Sequence, residues 1–140
     1  VAGCFAPAIV MSYVGLQCIV AEANFVLVKP TEALTALKAG VNASVTKVTG
    51  AARETTWYNT NIKGETLSLE LIMTQKYIAT FGTNQAYSDY RRVGLPVITP
   101  HPAGTLPALP TRYPYAQDEI SYNGANVPSV IISDKLWWDK

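Results

Sequence analysis

Six of the nine prolines in this chain fall between Pro96 and Pro114. Proline has no backbone N–H to give and its ring collides with the preceding helical turn, so a run this dense excludes helix and favours extended, polyproline-like chain. Helices are therefore expected before Pro96, and residues 95–140 are expected to be extended or irregular. Within that stretch Asn123-Gly124 reads as a turn, and Val127 to Ile132 as a short strand or a further extended pass. Leu95, Val97, Ile98, Leu106, Leu109, Tyr113 and Tyr115 are interleaved with the prolines, so the segment is expected to pack on the helices. Trp137 and Trp138 should be anchored, because two adjacent exposed tryptophans would leave a large apolar patch.

The first half reads as helical hairpin. Ala6 to Val28 carries a single charge, Glu22, and Tyr13, Leu16, Val20, Ala23 and Leu27 follow the i, i+3, i+4 rhythm of a helix. The stretch is long enough to cross a bilayer. However, Ser12, Gln17, Glu22 and Asn24 interrupt it, and an acidic residue near a membrane-helix centre costs about 2.5–3.5 kcal/mol. A helix apolar nearly all round fits burial among other helices better, with Gln17, Ala21, Asn24 and Val28 as its weaker face. Lys29-Pro30-Thr31 breaks the chain, with Thr31 as N-cap and Glu32 against the helix dipole. Leu34, Leu37, Val41, Val45 and Val48 then make one stripe up to Gly50. So short a link requires the two helices to lie antiparallel. Residues 51–64, with Trp57-Tyr58, read as a polar loop. A third helix is expected over 66–81, with Leu67, Leu71, Ile78 and Phe81 on one side and Gly82 as its C′ residue. A short one capped by Asn84 is expected over 85–92, stopped by Gly94 and Pro96. The full helix set is thus 8–28, 32–48, 66–81 and 85–92.

Composition removes several functions. The 11 basic residues are scattered, only Arg91-Arg92 are adjacent, and the net charge is +1, which does not suit a chain tracking nucleic-acid phosphates. Two cysteines and one histidine cannot build a Cys/His zinc site, and no cofactor fingerprint, P-loop, zinc-protease or nucleophile-elbow motif occurs. His101 lies between Pro100 and Pro102 with no partner that would make it a base. Asp118-Glu119 read as solvated charges, adjacent residues of extended chain pointing to opposite faces. Cys4 and Cys18 read as buried thiols unless the fold brings them together, and the sequon at Asn42 falls mid-helix. An enzyme is not expected.

Binding candidates remain. Trp57 and Tyr58 in a polar loop are of the type that stacks on the flat C–H faces of sugars, with packing at the core edge as the alternative. Asp89, Arg91 and Arg92 suit a clamp that holds the proline-rich segment through its backbone oxygens. Trp137 and Trp138 are structural candidates.

A longer series of residues resembles the SusD/RagB outer-membrane lipoproteins. Ala8-Ile9-Val10-Met11-Ser12-Tyr13, with Ala21-Glu22-Ala23, is similar to that family's tyrosine-and-AEA helix. Ala39-Gly40-Val41-Asn42-Ala43-Ser44 and Ile72-Met73-Thr74-Gln75-Lys76-Tyr77-Ile78-Ala79 resemble its next two helical segments. Tyr87-Ser88-Asp89-Tyr90-Arg91-Arg92-Val93-Gly94-Leu95-Pro96 resembles its [DE][WY]RR signature. Pro110-Thr111-Arg112-Tyr113-Pro114-Tyr115, then Glu119 and Asn123, resembles a later stretch with one Pro-Tyr order swapped. Asp134-Lys135-Leu136-Trp137-Trp138-Asp139 resembles the closing tryptophan pair. The segments follow family order.

The resemblance implies an all-α, tetratricopeptide-like helical hairpin scaffold with a long irregular Pro-rich C-terminal segment. It also implies that residues 1–140 are the C-terminal part of one larger domain, in keeping with an opening on Val1. The lipidated cysteine would then lie in the part before residue 1, and Cys4 would not be it despite the lipobox-like Val1-Ala2-Gly3-Cys4. The implied function is capture of an oligosaccharide or peptide at the outer-membrane surface, as lid of a SusC-like TonB-dependent transporter barrel, without chemistry or cofactor. The alternative is a structural subunit of an outer-membrane complex that has lost the ligand. Ligand residues in the family have no fixed motif, so none carries over.

Overall fold

Ser12 has extended backbone, and its hydroxyl accepts from the Gly15 N–H at 3.0 Å. This side-chain cap satisfies a donor that the first turn leaves without an intrahelical partner. It starts α1 (Tyr13–Val26) later than the apolar run alone predicts. The computed structural model describes residues 11–50, 58–60, 62, 66–106 and 108–139. Residues 8–10 of the expected first helix lie outside that set.

Chain-wise, α1 is followed by α2 (Pro30–Thr49), α3 (Leu69–Ala79), α4 (Asn84–Val93), α5 (Gln117–Asn123) and a 3-10 turn over Gly124–Asn126. The described residues contain no strand, so the fold is all-α. None of the described helices is long and apolar enough to cross a membrane. The contacts divide the chain into two units, Val1–Ala86 and Tyr87–Lys140.

In the first unit α1 packs on α2 and, less extensively, on α3. The corner between α1 and α2 closes with the Val28 N–H donating to the Phe25 carbonyl and the Lys29 N–H to the Asn24 carbonyl. This is the bonding of a Schellman cap, which favours glycine at the left-handed position. Here that position is Val28, at φ 57 and 85% exposed, an unusual setting for a β-branched residue that costs about 1–2 kcal/mol. Pro30, not Thr31, opens α2, and Lys29 precedes it without a side-chain cap. Proline's preset φ and missing N–H suit the first helical position. Thr31 sits inside the helix, where its carbonyl accepts from the Thr35 hydroxyl.

The buried faces differ from the expected stripes. On α1 they are Val14, Cys18 and Ala21, with Phe25 packed against the core, whereas Tyr13, Leu16, Val20 and Leu27 are exposed. On α2 Leu37 and Val41 are buried as expected, joined by Ala33, Ala36 and Gly40, whereas Leu34 and Val48 are exposed. Close helix approach is the reason. A Cβ on Gly40 would stand 3.3 Å from the Gln17 Cβ and 3.5 Å from the Cys18 sulfur, so only a small residue fits. That proximity, mid-α2 against early α1, also shows the antiparallel arrangement. The Cys18 side chain is buried in this helix contact.

Residues 58–60 are helical, and Tyr58 and Ile62 join Leu37, Val41, Ala36, Ala21 and Ile72 in the core. The region read as a polar loop thus supplies two core side chains. On α3, capped by Ser68 through the Leu71 N–H, the buried residues are Ile72, Met73 and Lys76, whereas Ile78 and Phe81 are exposed. Gly82 has the expected left-handed φ of 78 but lies two residues past the Thr80 cap.

The second unit begins within α4. Asn84 is the first helical residue rather than the cap, and α4 ends where the Gly94 N–H meets the Tyr90 carbonyl at 2.7 Å. Residues 94–106 and 108–116 hold neither helix nor strand. From Gln117 the expectation of irregular chain is corrected. Ala116 precedes α5, and the Ser121 hydroxyl donates to the Gln117 carbonyl. Asp118 and Glu119 occupy the first turn, where they complement the helix dipole. Asn123-Gly124 is the junction of α5 with the 3-10 turn, and the segment 127–132 forms no strand.

Candidate functional site

The expected binding pair separates. Trp57 lies outside the described residues. Tyr58 is 7% exposed, with the Lys38 ammonium 5.5 Å from its ring centroid. The ring therefore packs in the core under a cation rather than offering a free face. Burial raises the Tyr58 phenol above the ordinary tyrosine value of 10.0, because desolvation penalises the phenolate.

Near this core lies an ion pair that residue spacing did not reveal. Lys76 is 2% exposed, and its ammonium is 3.9 Å from a Glu22 carboxylate oxygen. The pair joins α1 to α3 and explains how the nearly charge-free α1 tolerates its one acid. A signal was present, since a lone Glu in an apolar helix requires a cation if it is buried. The partner could not be named without the packing.

In the second unit, α4 places Asp89 on its buried side and turns Arg91 and Arg92 in different directions. Arg92 Nη2 donates to Asp89 Oδ1 at 3.1 Å, one helical turn away. The Arg91 guanidinium lies 5.1 Å from the Tyr87 ring centroid and 4.6 Å from that of Trp138. Its Nε is buried and has no hydrogen-bond acceptor among the described residues. The expected clamp through backbone oxygens is thus replaced, for Arg91, by contact with ring faces, which attract the cation through the aromatic quadrupole. Tyr87 in turn meets Tyr113 edge-on, with centroids 6.0 Å apart and planes at 68°. Tyr113, Tyr87, Arg91 and Trp138 therefore form one continuous series of contacts that ties the proline-rich segment and the C-terminal tail to α4. Trp138 is held against Arg91 and is 38% exposed. Trp137, beside it in the chain, is 90% exposed.

His101 is exposed, and its Nδ1 accepts from the Ala103 N–H at 3.1 Å, which stabilises a local turn. Among the described residues no group of His, Cys, Asp and Glu could hold a metal. Asn42 lies within α2 with its Oδ1 buried, an unsuitable setting for a glycosylation acceptor.

A family model of SusD-like proteins, described as starch-binding associating with outer membrane, matches residues 3–116. The chain belongs to this SusD-like family. No curated protein and no solved structure matches it. Within the SusD-like chain, the AEA segment of α1 and the TQK segment of α3 meet through Glu22 and Lys76, so two stretches that carried the resemblance form one buried contact. Trp137 and Trp138 lie beyond the matched residues.

Proposed function

We propose that this SusD-like chain is the C-terminal part of a lipid-anchored, cell-surface protein that binds a glycan. In this reading it presents the glycan to a SusC-like TonB-dependent barrel and performs no chemistry. The family match over residues 3–116 carries the proposal. The larger-protein part of the reading is supported by α1, whose Tyr13, Leu16, Ile19, Val20 and Leu27 are exposed. A contiguous apolar face of this kind marks an interaction surface.

The experiment is calorimetry of the whole protein against α-glucan oligosaccharides, other glycans and a peptide library, together with purification from outer membranes. Saturable glycan binding and co-purification with a barrel are expected. Binding of peptides alone would replace the ligand class. Co-purification with a barrel and no ligand of any kind would overturn ligand capture and leave a structural subunit.

A further inference from the structure

The second unit contains a cleft to which neither the family match nor the sequence reading assigns a role. It has a volume of about 300 Å³ and lies between residues 112–115 and 127–132, with Ile120 and Gly124 completing the lining. All but its first few residues fall beyond the stretch that the family model matches.

Its two sides are held together by backbone. The Thr111 and Arg112 N–H groups both donate to the Ile132 carbonyl, at 2.9 and 3.2 Å, and the Thr111 hydroxyl donates to the Asp134 carbonyl at 2.9 Å. The Ile131 N–H donates to Asp134 Oδ2 at 2.9 Å, which fixes the turn that follows. The cleft is therefore preorganised, and little ordering entropy opposes a ligand entering it.

Three features define what would fit. Tyr113 is 72% exposed, yet its ring orientation is set by the edge contact with Tyr87. The Arg112 guanidinium lies 5.3 Å from the Tyr115 ring centroid, and its Nε is buried with no hydrogen-bond acceptor among the described residues. The remaining lining is apolar, from Ile120, Val127, Pro128 and Ile132. An oriented, open aromatic face beside a planar donor fork and an apolar wall matches a pyranose. One face of such a ring is C–H, and its rim carries oxygens that accept hydrogen bonds. The volume is at the lower end of small-ligand clefts, about 300–1,000 Å³, and suits one or two rings rather than a long segment.

We infer that this cleft is a glycan subsite, in which one sugar ring stacks on Tyr113 and accepts hydrogen bonds from Arg112. The inference rests on the glycan-binding reading above and adds to it the place and the residues.

The test is calorimetry of the whole protein with maltoheptaose and with an oligogalacturonate of similar length, so that a neutral and a carboxylate-bearing sugar are both offered. Tyr113→Ala should weaken binding of whichever glycan is bound by about tenfold or more, as expected for loss of a contact with this much exposed ring. Tyr113→Phe, which keeps the ring, should bind as the parent does. Arg112→Lys, which keeps the charge but loses the fork, should weaken binding by a similar factor. Unchanged far-UV circular dichroism and melting temperature establish that each variant is folded. Glycan binding that Tyr113→Ala and Arg112→Lys leave intact would overturn the subsite while sparing the glycan-binding reading. No glycan binding by the parent would overturn both. Loss on these substitutions of affinity for an acidic peptide, with no glycan bound, would overturn the sugar assignment.

Discussion

The ion pair between Glu22 and Lys76 permits a quantitative test of how this helical unit is held. The charges are 3.9 Å apart, and at an effective dielectric of about 20 their attraction is about 4 kcal/mol. Desolvation opposes it by a similar amount, because moving an ammonium and a carboxylate out of water costs several kcal/mol each even after relaxation. The net contribution of the pair is therefore small, although the cost of breaking it is large. Lys76→Met removes the cation from beside Glu22 and should destabilise by about 3 kcal/mol, the lower end of the range for halving a buried pair. The lower end applies because the Glu22 side chain is 15% exposed and keeps some water. Glu22→Leu should cost about as much or more, since the Lys76 side chain is 3% exposed. The double variant replaces both charges by apolar groups of similar length, and should lie within about 1 kcal/mol of the parent. Urea unfolding of the four proteins, read as a double-mutant cycle, measures this. Losses that add to within about 0.5 kcal/mol would show that the two charges are not coupled and would refute the reasoning.

Two further outcomes follow from the ring contacts and from the buried phenol. Arg91→Lys keeps the charge but not the planar group that lies over Tyr87 and Trp138. It should cost about 1–2 kcal/mol and alter the Trp138 fluorescence, whereas Trp137→Ser, at an exposed ring, should leave stability unchanged. Tyr58 gives a pH dependence. Its folded pKa is raised above 10.0, so the unfolded state loses its proton first as pH rises. The Tyr58 contribution is therefore fully present below pH 10.0 and declines above it. Tyr58→Phe should flatten that part of the alkaline stability curve, and an unchanged slope in the variant would rule this contribution out.

Legibility in the sequence followed the range of the interactions involved. Helix existence and several ends were readable because caps and breakers act within a few residues: Gly94 stops α4 through its own N–H, and Pro30 marks the start of α2. The α5 helix was missed because the prolines before it set an expectation of extended chain that does not apply past Pro114. The second-unit contacts were partly readable. Arg91 was identified as a holding residue and Trp138 as anchored, but that each holds the other is a contact between residues 47 positions apart in the chain (138 minus 91). Nothing local encodes it. Tyr58 sat in a polar stretch that concealed its burial, since its neighbours in the core come from α1, α2 and α3.

By itself the sequence determined that the described residues before Pro96 are mainly helical, that α1 and α2 form an antiparallel pair, and that its motif series is SusD-like. Those properties depend on local backbone preference, on the length of a link and on residue order. Only the tertiary structure decided which face of each helix is buried. An α1 that is apolar nearly all round has no face preferred by hydrophobicity alone, so close packing against Ala33, Ala36 and Gly40 of α2 made the choice. That choice buried Cys18 and Ala21, left Tyr13, Leu16 and Val20 exposed, and brought Glu22 to Lys76.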